Sequence, residues 1–118
     1  MTRCLIVAFH KYTPFGSQYY EPILDFQIQT LKKYEDEYDR IYFIDSNWNI
    51  DLDKLEKADI KGEIIRVNPS LRYYQAYQEV LPTVTEDLVF FLDNDSIIWK
   101  KGIIKSVFDK LEEEELDK

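Results

Sequence analysis

An α/β fold, a mostly parallel sheet with helices on both faces, is what this sequence predicts, and three observations carry the prediction. Four short runs are dense in Val, Ile, Leu, Phe and Tyr and bounded by polar or turn-forming residues, as buried strands are. The stretches between them repeat their apolar residues at helical spacing. No internal repeat, low-complexity segment or Gly/Ser linker interrupts the alternation, so residues 1–118 read as one domain.

The first strand is Cys4–Phe9. A helix from about Gln18 to Tyr34 follows, because Leu24, Ile28 and Leu31 fall at i, i+4 and i+7 and Pro22 suits an opening turn. Arg40–Ile44 is the second strand. Asp51–Ala58 reads as a short helix with an acidic first turn facing the positive end of its dipole, and Gly62 lies beyond its end. The third strand is Glu63–Val67. Ser70 is an acceptable N-cap for a helix through Leu71, Tyr74, Tyr77 and Leu81, stopped by Pro82. Asp87–Leu92 is the fourth strand. Ile103, Ile104, Val107, Phe108 and Leu111 share the apolar face of a last helix, and the charged run Glu112–Glu115 reads as its solvated, fraying end.

Composition bounds the function. With 45% hydrophobic and 15% aromatic residues the chain has enough apolar material for one packed core. A net charge of -8 argues against nucleic acid as a partner, since phosphate backbones demand clustered Lys and Arg. A phosphorylated small molecule stays compatible if a divalent cation or local positive groups neutralise it. The single cysteine, Cys4, forms no internal disulfide, so a cytoplasmic location is the expectation. The run Leu5–Phe9 is too short for a signal-peptide core, and no segment approaches the roughly 18 apolar residues of a membrane span.

In a parallel sheet the carboxyl ends of the strands share one rim, and ligands bind there. The four runs end in His10-Lys11-Tyr12-Thr13-Pro14, Asp45-Ser46-Asn47, Asn68-Pro69-Ser70 and Asp93-Asn94-Asp95-Ser96, all polar. Asp93 and Asp95 are the sharpest signal. Two apart in an extended segment, they project to the same side. Carboxylates roughly 6 Å apart repel by about 3 kcal/mol at an effective dielectric near 20, which a cation relieves. Oxygen donors without a His or Cys cluster select Mg²⁺ or Mn²⁺, ions that complete their shells with substrate phosphates and water.

The chain resembles the nucleotide-binding half of family-2 glycosyltransferases, which have the Rossmann-like GT-A fold. Leu5-Ile-Val-Ala-Phe-His-Lys-Tyr-Thr-Pro14 looks like that family's first strand and Tyr-containing loop. Phe43-Ile-Asp-Ser-Asn47 sits where the family carries a nucleobase-binding acid, and Val89-Phe-Phe-Leu-Asp-Asn-Asp-Ser96 looks like its Asp-x-Asp strand, with a likeness to rhamnosyltransferase-type members. The resemblance implies a metal-dependent glycosyltransferase whose donor is a nucleotide-diphosphate sugar and whose acceptor is a saccharide or lipid-linked glycan. It casts Asp95 as principal metal ligand and Asp93 as a contact to the ribose or a metal-bound water. Asp45 then touches the base, Arg72 contacts the nucleotide, and Tyr12 borders the base.

Other residues read as structural. His10 is expected in the loop or core, and Trp48 and Trp99 are expected to pack. Lys11 stands where the family has a small hydroxyl residue. Family members continue past the Asp-x-Asp with a half that supplies the acceptor site and, in inverting enzymes, a carboxylate base, whereas this chain ends about one helix later. No catalytic base is therefore assigned, and the chain alone is expected to bind donor, transfer poorly, and form a homodimer or join a partner subunit. Two further readings compete: a non-catalytic binding module of the same fold, and a haloacid-dehalogenase-type phosphatase, whose nucleophile strand also ends in Asp-x-Asp.

Overall fold

The computed structural model describes residues 1–10, 19–94 and 96–116. Its elements are β1 (Arg3–His10), α1 (Tyr20–Lys33), β2 (Arg40–Ser46), α2 (Leu52–Ala58), β3 (Gly62–Arg66), α3 (Tyr73–Val80), β4 (Leu88–Asp93) and α4 (Ile103–Leu116). The four strands form one sheet in the order β3-β2-β1-β4, every neighbouring pair parallel. This is a Rossmann-like α/β arrangement.

Alternation along the strands decides which helix goes where. Leu5, Val7 and Phe9 of β1 and Ile41 and Phe43 of β2 face one side, where they pack with Leu24, Ile28 and Leu31 of α1, Leu55 of α2, and Ile104 and Phe108 of α4. Cys4, Ile6 and Ala8, with Tyr42 and Ile44, face the other side and meet Ala76 and Val80 of α3. Both sides of the central strands are covered, which is why β1 is a nearly unbroken apolar run. The apolar stripe expected on α1 is the one that is buried.

Several boundaries differ from expectation, each for a physical reason. β2 continues past Ile44 to Ser46, because β1 still pairs with it at Phe9↔Asp45 and His10↔Ser46. Ser70 does not cap α3. It is tied to Asn68, whose Oδ1 accepts from both the Ser70 amide (3.0 Å) and its hydroxyl (2.9 Å), and the helix starts three residues later with Arg72 as N-cap. The left-handed residue ending α2 is Asp59 (φ 54°), and Gly62 instead opens β3. A Cβ at Gly62 would lie 2.8 Å from Cε2 of Phe43, so close approach to that ring is what calls for glycine there. α4 runs on through Glu112–Glu115; Arg3 draws its carboxylates in, with Nη2 2.7 Å from Asp109 and 2.9 Å from Glu112. At its other end the buried Glu37 accepts hydrogen bonds from the amides of Gly102 (3.1 Å) and Lys105 (2.9 Å), filling donors that an N-terminus leaves open.

Among the described residues no helix is long and apolar enough to cross a membrane. Cys4 is a free, buried thiol.

Candidate functional site at the carboxyl rim of the sheet

The chain moves outward from β1 through β2 to β3, then returns to the opposite side of β1 for β4. Such a reversal opens a crevice beyond the carboxyl ends of the strands flanking it, here β1 and β4. Asp93 ends β4 beside this point, in register with Ala8, and its side chain is exposed. The Tyr77 hydroxyl of α3 donates to its Oδ1 at 3.4 Å, a long and weak bond. Tyr77 in turn sets its ring edge against Phe91, centroids 4.6 Å apart.

Beyond Asp93 the strand stops. The Ser96 amide donates back to the Asp93 carbonyl at 3.0 Å, closing a turn, and Asn94 is buried. The strand alternation expected to put Asp93 and Asp95 on one side therefore ends at Asp93. Asp95 itself lies outside the described residues, as does Tyr12. The positions bracketing Asp95 are fixed from α1, where the buried Gln27 donates from Nε2 to the carbonyls of Asn94 (2.9 Å) and Ser96 (2.6 Å). Gln27 was not singled out in the sequence. Its signal was a polar residue one position before Ile28 on the buried stripe of an otherwise amphipathic helix.

Asp45 has a different occupation from the one expected. It is 2% exposed. Oδ1 accepts from the amides of Trp48 (2.7 Å) and Asn49 (3.2 Å), while Oδ2 accepts from the Ile50 amide (2.7 Å) and from the Arg66 guanidinium. A carboxylate offers about four lone-pair sites, and all are filled. Asp45 thus folds the loop after β2, and its carboxylate oxygens are engaged within the protein where the resemblance implies a base contact. The loop needs that help, since Asn47 (φ 68°) and Asn49 (φ 54°) both sit in the left-handed region. Arg66, in register with Asp45, also reaches the Ile50 carbonyl at 2.8 Å; an arginine at the end of β3 facing the acid at the end of β2 was the signal for it.

The remaining rim residues divide clearly. His10 is buried, with Nε2 2.9 Å from the Leu71 carbonyl, as expected of a core or loop histidine. That contact brings the start of α3 to the end of β1. Arg72, the next residue, is exposed and forms no ion pair among the described residues, so its guanidinium is open to an anionic ligand. Ser46 is buried at the end of β2, and its hydroxyl has no hydrogen-bond partner among the described residues. Trp48 packs as expected, stacked on Tyr20 at 4.1 Å and edge-on to Phe9 at 5.0 Å. Trp99 does not. Ile98 takes the core position (6% exposed), while Ile97 and Trp99 on either side of it face outward, Trp99 to 75% exposure.

Among the described residues no group of three or more His, Cys, Asp or Glu side chains is placed to hold a metal. Of the two carboxylates expected to hold Mg²⁺ or Mn²⁺, Asp93 is exposed on the rim. No family model matches the chain, and no curated protein matches it significantly.

Proposed function

We propose that the chain binds a nucleotide-diphosphate sugar at the carboxyl rim between β1 and β4 and serves a metal-dependent glycosyltransferase reaction. The observation that carries this reading is the presence of an exposed carboxylate, Asp93, and an exposed guanidinium, Arg72, which forms no ion pair among the described residues, on the rim where the strand order reverses. The likeness of the Val89–Ser96 segment to an Asp-x-Asp strand supplies the chemistry. In this reading Asp93 and Asp95 hold Mg²⁺ or Mn²⁺, whose role when bound is to neutralise the diphosphate as the glycosidic bond to it breaks. Arg72, at the amino end of α3, meets the diphosphate where the helix dipole also favours an anion. Asp45 acts indirectly, holding the 46–50 loop in shape.

Calorimetry with UDP, GDP, dTDP and CDP, with Mn²⁺ and with EDTA, tests the proposal. One of these nucleotides should bind in Mn²⁺, lose at least tenfold in affinity in EDTA, and weaken in Asp93→Ala and more so in Asp95→Ala. Affinity that is the same with and without metal would remove the metal bridge, and with it the glycosyltransferase reading.

A further inference from the structure

Away from the rim, α1 and the segment before α4 enclose a shallow groove of about 450 Å³ whose lining includes Phe26, Lys33, Tyr34, Ile97, Ile98 and Trp99. Its floor, Tyr34 and Ile98, is core. Its walls are not. Phe26 is 49% exposed, Ile97 55% and Trp99 75%, three large apolar side chains clustered on one surface where single exposed ones are the norm.

The charge around them is unusual for this chain. The net charge is -8, yet among the described residues no Asp or Glu lines the groove. Lys33 and Lys100 form no ion pair among the described residues, and Lys33 lies over the Tyr34 ring, 5.6 Å from its centroid. Lys101 follows, loosely opposed by Asp36 at 3.8 Å. The densest acid, Glu112–Glu115, begins nine residues into α4, about 14 Å along the helix from Ile103. That separation exceeds the Debye length of about 8 Å at physiological salt, so the lysines act locally without cancellation from the tail.

Protruding Trp, Ile and Phe side chains, flanked by Lys33 and Lys100 with no ion pair among the described residues, match the interface of an anionic lipid bilayer: the apolar groups enter the headgroup boundary, where Trp is favoured, and ammonium groups remain among lipid phosphates. We propose that this surface docks the protein reversibly on an anionic membrane. An acidic protein segment is the lesser fit, because the groove is shallow and the three apolar side chains at its margin stand outward beyond it.

Co-sedimentation with phosphatidylcholine vesicles, with and without phosphatidylserine, tests this, with a polyglutamate peptide as a separate arm. The wild-type chain should bind the serine-lipid vesicles at low salt and lose binding as salt rises. Each lysine near such a surface is worth about fivefold in affinity, so Lys33→Glu with Lys100→Glu should cost about 25-fold or more. Trp99→Ser should weaken binding about tenfold, and in the wild type Trp99 emission should shift to the blue on vesicle addition. All three positions are exposed, so circular dichroism should show unchanged folds. Failure of the wild type to sediment, equal sedimentation of Trp99→Ser, or binding to polyglutamate in place of vesicles would each overturn the proposal.

Discussion

Asp45→Asn separates two roles for one carboxylate. Asparagine keeps the shape and one acceptor oxygen, so it can satisfy either the Trp48 and Asn49 amides or the Ile50 amide and Arg66, but not both pairs. The amide nitrogen then faces two donors. Hydrogen bonds to a charged group contribute about 1.5–3 kcal/mol each, and a buried amide left without a partner adds to the loss. Allowing for loop relaxation, about 3–4 kcal/mol of destabilisation is expected, a large share of a domain's roughly 5–15 kcal/mol. At about 2.1 cal/mol/K per residue, a chain of 118 residues has an unfolding entropy near 0.25 kcal/mol/K, so the melting midpoint should fall by about 12–16 °C. Thermal denaturation followed by circular dichroism reads this directly, and urea titration should show a lower midpoint with an unchanged slope. A variant that melts within about 2 °C of wild type, with an altered preference among nucleotides, would refute the loop role and return Asp45 to the ligand.

Two more perturbations test the core. Gly62→Ala places a methyl group 2.8 Å from the ring of the fully buried Phe43, so about 1–3 kcal/mol of overpacking should appear as a lower urea midpoint; an unchanged midpoint would mean that the ring can yield. Burial pushes the Cys4 thiol up to about 12, so its thiolate fraction at pH 8 is on the order of 10⁻⁴. A disulfide reagent should therefore label the native chain only as it opens, with the rate rising sharply across the urea transition; rapid labelling without denaturant would contradict the packing of β1.

Apolar runs, helical spacing and turn residues were enough to find the four strands and four α-helices, because a strand buried on both faces and a helix buried on one write their environments into composition. Leu24, Ile28 and Leu31 had to face a sheet, and Cys4–Phe9 had to lie within one. The polar rim was also legible, since strands must end in residues that tolerate solvent and turns. What each rim residue does was decided by partners far away in sequence. Asp45 looked like a ligand contact until Arg66 and the 48–50 amides filled its lone pairs. Trp99 looked like packing until Ile98 took the core position beside it. Gln27 was unmarked until the turn after β4 came within reach of its amide, 67 and 69 residues along the chain. Local sequence sets backbone preference and which side faces the core, because those depend on neighbours a few residues away. The saturation of a carboxylate and the exposure of a tryptophan depend on long-range approach, and only the folded chain brings those groups together.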